Sequence, residues 1–214
     1  MSEIKVGCLT LGMLGNNTYF LHREGEYDCI LIDPARDGEM LVTKLREKGL
    51  TIKAIFLTHA HFDHIVGVEG VKKLSDAPIY GSAIDAEAFL DPEKNLSTEY
   101  VHKGISIKLD HELLEGDEIS IGNMKCKVFI TPGHTPGSTC FYFEDDHLLF
   151  SGDTLFFENI GRTDFPNGSM SDEVRSVERL LKLPPETKVY PGHNDFTTIE
   201  HERQYNPYSQ MTEI

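Results

Sequence analysis

Three imidazoles and a carboxylate fall within six residues in Thr58-His59-Ala60-His61-Phe62-Asp63-His64. His59 and His61 are two apart, so in extended backbone both face the same side. Imidazole nitrogens and carboxylate oxygens ligate zinc well, and also iron or manganese. A lone histidine is most often a packed or solvated side chain. Three in this spacing beside an aspartate point to metal ligation.

Three later segments share the design. Ile130-Thr131-Pro132-Gly133-His134 is an apolar strand running into a loop that presents one histidine. Phe150-Ser151-Gly152-Asp153 ends a strand on one aspartate. Val189-Tyr190-Pro191-Gly192-His193 ends another on a histidine. Each alone could be a turn or a cap, but four strand ends that each offer a ligand fit a metal site. The expected ligands are therefore His59, His61, Asp63, His64, His134, Asp153 and His193. They suit two divalent ions, zinc foremost, with iron or manganese as alternatives. Asp63 is also the expected proton relay. The other histidines, His22, His102, His111, His147 and His201, fall in turns, charged stretches or helix faces and read as surface residues.

The elements that must carry these residues alternate between strand and helix. Strands are expected at 4–10, 17–22, 27–33, 52–58, 78–80, 105–109, 118–121, 124–131, 138–143, 147–151 and 188–190. Helices are expected at 37–48, 65–74, 83–90 (capped by Ser82), 172–182 (capped by Ser171) and 197–204. Residues 59–64 read as a ligand loop, since α/β folds place chemistry at strand C-termini. Residues 91–103 read as a variable loop. Strands and helices mix in both halves with no linker or repeat, so a single α/β domain over 1–214 is expected, with two facing sheets and helices outside.

Composition narrows the partners. The chain has 214 residues, with 35 acidic against 20 basic residues and a formal net charge of −15. Phosphate-backbone binding relies on clustered Lys and Arg, and no dense basic run is present, so nucleic acid is not an expected partner. Some of the acid can compensate bound cations. Cys8, Cys29, Cys126 and Cys140 sit in or beside apolar strands, form no Cys-x-x-Cys pair and read as packed free thiols, which suits a reducing cytoplasm. The opening Met-Ser-Glu-Ile-Lys-Val-Gly has no signal-like apolar run, and no stretch is apolar enough to span a membrane. A cytoplasmic protein is expected; composition leaves its oligomeric state open.

The order of motifs from Asp33-Pro34 to the helix after His193 resembles the metallo-β-lactamase superfamily. The resemblance implies an αββα four-layer sandwich. It also implies that His59, His61 and His134 hold one metal, that Asp63, His64 and His193 hold the second, and that Asp153 bridges them. Gly161-Arg162-Thr163-Asp164-Phe165-Pro166, Tyr190-Pro191-Gly192-His193-Asn194 and Thr197-Thr198-Ile199-Glu200 before Asn206-Pro207 resemble the short branch of glyoxalase II (hydroxyacylglutathione hydrolase). That resemblance implies hydrolysis of an S-acyl thioester by attack of a metal-bridging hydroxide. Longer glyoxalase II enzymes carry a C-terminal helical region that supplies glutathione contacts. Too few residues follow His193 for such a region, so the expected substrate is a thioester of some low-molecular-weight thiol.

The loop after Asp153 should overhang the metals. Phe156 and Phe165 are expected as substrate walls, and Arg162 as a grip for an anionic part of the substrate. The alternative for Arg162 is an internal ion pair with Asp164. The rival activity is a persulfide (sulfur) dioxygenase, which resembles this chain in the same motifs. It uses one iron in the pattern matching His59, His134 and Asp153. A β-lactamase, a flavodiiron oxidoreductase and an RNA-processing nuclease fit less well, for want of an export signal, a flavin domain and a basic surface.

Overall fold

The computed structural model describes residues 2–209. Two six-stranded sheets face each other. In spatial order the first holds β1 (Ile4–Leu11), β2 (Asn16–Arg23), β3 (Asp28–Ile32), β4 (Thr51–Phe56), β5 (Ile79–Ser82) and β6 (His111–Leu113). The second holds β14 (Thr197–Thr198), β13 (Lys188–Pro191), β10 (Leu148–Gly152), β9 (Thr139–Phe143), β8 (Met124–Ile130) and β7 (Glu118–Ile121). A short hairpin, β11 (Leu155–Phe156) with β12 (Asn159–Ile160), stands apart. The helices are α1 (Gly38–Glu47), α2 (Phe62–Ile65), α3 (Val68–Leu74), α4 (Ala86–Leu90), α5 (Ser97–Tyr100), α6 (Met170–Leu180) and α7 (Ile199–Tyr205).

Period-two alternation divides the strands between three cores. In β3, Ile30 and Ile32 point between the sheets, while Cys29 and Leu31 point to the outer face. In β9, Phe141 and Phe143 point inward, and Cys140 and Tyr142 outward. The inner core therefore joins Ile30, Phe56, Phe141 and Phe150. Helices α1 and α3 cover the first sheet through Val42, Leu45, Val68 and Val71. Helices α6 and α7 cover the second through Val174, Val177, Leu180 and Ile199. The result is the expected αββα four-layer sandwich.

Pairing direction decides where the ligands go. Strands β3 and β4 are parallel, and so are β10 and β13. Parallel neighbours bring their C-terminal ends to the same edge. Asp33 thus emerges beside His59, and Asp153 beside His193. The buried bond from Thr139 N to Thr58 O, 2.8 Å, ties the two sheets together at this edge.

Several expected elements differ in detail. The segment 105–109 forms no strand, because the Ile107 N–H donates to Phe89 O instead of to a ladder; the edge strand is His111–Leu113. The helix expected at 65–74 is broken. Asp63 and His64 lie on the single turn of α2, and α3 restarts at Val68. Gly67 makes the break: its N–H donates to Pro34 O at 2.7 Å, and a Cβ there would sit 2.5 Å from that oxygen. Ser82 accepts from Ile84 N in a turn, and α4 begins only after Asp85. Helix α6 starts at Met170, and its cap is Ser169, which accepts from Asp172 N. The loop at 91–103 contains the short helix α5. The four cysteines are free, and all but Cys8 are buried. Among the described residues no helix is long and apolar enough to cross a membrane.

Candidate metal centre

All seven expected ligands converge where the four strand ends meet. Their donor atoms form three overlapping groups, each within 4.8 Å: His59, His61 and His134; Asp63, His64 and His193; and His59, His64 and Asp153. His61 Nδ1 lies 2.9 Å from His134 Nε2. That approaches the roughly 3.3 Å between two nitrogens on one tetrahedral ion with bonds near 2.0 Å. Asp153 stands between the groups, with Oδ2 3.6 Å from His134 Nε2 and 3.5 Å from His193 Nε2, and Oδ1 3.4 Å from His64 Nε2. Gly192 makes room for it, since a Cβ there would come within 2.2 Å of Asp153 Oδ1.

The orphaned atoms show what the site fits. His59 Nε2, His64 Nε2 and Asp153 Oδ1 are buried with no hydrogen-bond partner, although buried polar atoms are almost always paired. All three belong to the cluster. Imidazole nitrogens and carboxylate oxygens aimed at a common volume, with only long contacts among themselves such as His64 Nε2 to Asp153 Oδ1 at 3.4 Å, form a donor set that fits divalent metal ions.

The opposite side of four of the five rings is tied down, as in metal-ligating histidines. His64 Nδ1 donates to Asp33 Oδ2 at 2.9 Å, and His134 Nδ1 to the Arg162 carbonyl at 2.7 Å. His193 Nδ1 reaches the Leu14 carbonyl at 3.2 Å. His59 Nδ1 faces Thr58 Oγ1 at 3.2 Å, and that hydroxyl donates onward to Asp33 Oδ2 at 2.7 Å. Asp33 also accepts from Thr58 N, so one buried carboxylate orients two of the rings. Glu173, buried on α6, accepts from His134 N at 2.9 Å and Gly161 N at 3.1 Å, joining two loops of the site. Asp85 accepts from Thr135 Oγ1 and Gly137 N, fixing the same histidine loop from the first sheet's side.

Electrostatics divide the rings into two classes. Burial, reinforced by the neighbouring imidazoles, holds His59 well below the ordinary histidine value and His61 down to about 3. Both are neutral ligands at any physiological pH. Burial also opposes charge on His64, but the carboxylates of Asp63, Asp153 and Asp33 overcome it and raise its pKa. Asp153 stays below the usual carboxylate range despite its burial, because His64 and His193 stabilise its charge. Protons and divalent cations compete for these same atoms, so metal binding releases protons from this side of the cluster.

The cluster forms the floor of a cleft of about 430 Å³. Phe156 is buried in its wall, edge-on to His193 at 6.2 Å. Phe165 lies 4.9 Å from the His61 ring. Both therefore stand where substrate walls were expected. Arg162 lines the cleft too, but its guanidinium is engaged. It grips Asp164 through two bonds, 2.7 and 2.6 Å, and lies 4.2 Å over the Phe165 ring. The internal ion pair is the arrangement observed, with Asp164 two residues away on the same loop. Phe157 faces outward and stacks on His201.

Sequence reasoning did not assign Asp33, Asp85, Glu173, Leu14, Phe62 or Tyr100 to the site. Asp33 left one trace: an aspartate directly before proline, here with φ 46°, is an uncommon backbone state that marks a position held by its surroundings. The others are single residues far apart in sequence, and no local spacing distinguishes them.

Comparison with known proteins agrees with this geometry. A family model described as the metallo-β-lactamase superfamily matches residues 11–193. The probable metallo-hydrolase YqgX of Bacillus subtilis (strain 168) is 37% identical over 202 residues, covering 94% of this chain and 95% of that protein. Hydroxyacylglutathione hydrolase GloC of Haemophilus influenzae is 29% identical, over 86% and 89% of the two chains. Among solved structures, the BLEG-1 B3 metallo-β-lactamase superimposes with a TM-score of 0.91 at 36% identity, over 96% and 100% of the chains. TTHA1623 in a di-iron-bound form gives 0.83 at 35%, over 94% and 99%. ETHE1 from Myxococcus xanthus gives 0.79 at 30%, over 95% and 83%.

Proposed function

Because this chain belongs to the metallo-β-lactamase superfamily, we propose that it is a two-metal hydrolase of S-acyl thioesters of a low-molecular-weight thiol. The observation that carries the reading is the two triads, His59/His61/His134 and Asp63/His64/His193, with Asp153 between them. In this reading Asp153 serves both ions. Similarity to GloC supports the thioester, and the di-iron form of TTHA1623 supports a binuclear site whose metal need not be zinc.

Divalent ions at this site would supply water activation and polarisation of the acyl carbonyl. The protein supplies the rest. The neutral rings of His59 and His61 add no repulsive charge. In this reading Asp63, whose Oδ2 is 3.1 Å from His193 Nε2 at the edge of the cluster, takes the proton released by the attacking water. Water oxygen forms the new C–O bond while the C–S bond breaks. The thiol departs with that electron pair and takes up a proton. Phe156 and Phe165 wall the acyl group and exclude bulk water.

Protein loaded with zinc, iron or manganese and offered S-lactoylglutathione and simpler acyl thioesters should release one thiol per acid formed. Oxygen uptake with a persulfide by a one-iron form would instead establish the dioxygenase. Turnover confined to β-lactams would assign the activity named for BLEG-1.

A further inference from the structure

The walls above the metal floor carry a charge pattern that selects among thioesters. Among the described residues the cleft lining holds one cation, Arg162, and Asp164 neutralises it in a two-point contact. The pair is exposed and of modest strength. Turning the guanidinium toward a substrate carboxylate still leaves Asp164 two residues away, so the rim gains no net positive charge. Among the described residues the rest of the mouth carries no other charged side chain beyond the cluster: the amides of Asn159 and Asn194 stand among apolar residues. Phe62 and Tyr100 stack at 5.1 Å with their planes 3° apart, and Leu14 and Tyr100 are 55% and 42% exposed. Beyond His61 and Leu96 the cleft adjoins a second hollow of about 330 Å³. Its lining includes Glu87, Asp91 and Glu93, against one cation, Lys94, which pairs with Glu87; Asp85 also lines it but is buried and engaged with Thr135 and Gly137.

Resting on the thioester reading above, we infer that the substrate has an apolar acyl arm lying on the Phe62–Tyr100–Leu14 face, and a leaving thiol with no net negative charge. An acidic thiol such as glutathione would meet carboxylates along this rim, where among the described residues no unpaired side-chain cation lines the wall above the metal floor. A neutral or amine-bearing thiol would meet complementary or indifferent charge. Like-charge juxtaposition is the stronger discriminator, because it penalises the wrong partner outright.

The test uses the metal-loaded protein and one acyl group, hexanoyl, on four thiols: thiocholine, whose quaternary ammonium cannot capture the acyl group, N-acetylcysteamine, glutathione and 3-mercaptopropionate. At low ionic strength kcat/KM for the first two should exceed that for the last two by about tenfold or more, and added salt should narrow the gap. Asp164→Asn, which frees Arg162, should raise kcat/KM for the glutathione thioester and leave the N-acetylcysteamine thioester unchanged. Tyr100→Ala should raise KM for hexanoyl but not for acetyl thioesters. Calorimetric binding of the uncleavable S-hexyl thioethers of the same thiols separates this inference from the reaction. If no thioester is cleaved but the thioethers rank in the same order, the thioester reading fails and the charge selection stands. Tighter binding or faster turnover of the anionic compounds would overturn the inference.

Discussion

The floor of the cleft and its rim face the same substrate but are held by different means. On the floor, His59, His64, His134 and Asp153 are buried, and every ring has a second nitrogen tied to Thr58, Asp33 or the Arg162 carbonyl. On the rim, Leu14, Tyr100 and Arg162 are largely exposed and rest on local contacts, with Tyr100 stacked on Phe62 and Arg162 paired to Asp164. Floor geometry is fixed by hydrogen bonds from three directions: Asp33 just after β3, Glu173 on α6 and the Arg162 carbonyl after β12. Rim geometry depends on single side chains. Chemistry that needs fixed distances belongs to the floor, and selectivity that can change by one substitution belongs to the rim.

The contrast breaks most directly at Asp153. Asp153→Ala should release both metals and lower turnover by more than about 100-fold, beyond the 10–100-fold typical of losing an outer partner. Elemental analysis with turnover on one sample checks it; one metal lost with near-normal turnover would remove the bridging role. Asp33→Ala acts one bond further out. It should weaken metal affinity by about 10–100-fold without touching a ligand, read by chelator titration. Glu173→Ala leaves two buried N–H groups, His134 and Gly161, without their acceptor. It should cost about 1–3 kcal/mol for each group, seen as a lower Tm, with a fall in turnover as the two loops loosen. At the rim the effects shrink. Arg162→Ala should change KM for neutral thioesters by less than about twofold, since an exposed pair contributes about 0–1 kcal/mol. A large KM increase with unchanged Tm would instead restore Arg162 as an anion grip.

The same division governs what could be read from sequence. The candidate ligands were legible because each lies at a strand end or in the short stretch just beyond one, within a Pro, Gly or His motif, and backbone geometry fixes where a strand end points. The sandwich was legible from strands whose alternating faces serve two cores, as Cys29–Ile32 do in β3. Helix boundaries near the site were not, because tertiary contact overrides local pattern. The helix expected at 65–74 breaks where Gly67 touches Pro34, and Asp85 leaves its helix start to hold the loop of His134. Glu173 reads as an ordinary acid in the first turn of a helix, and only the fold shows that it is buried against two loops. Arg162 beside Asp164 allowed two readings, and the rotamer that pairs them is a local choice.

The central claim is that one cluster of seven residues holds two metals that work together. Metal-free protein titrated with zinc, iron or manganese while thioester hydrolysis is followed tests it most directly. The account predicts about two ions bound per chain, with turnover rising as the second is bound. Full activity at one iron per chain, accompanied by oxygen uptake, would contradict it.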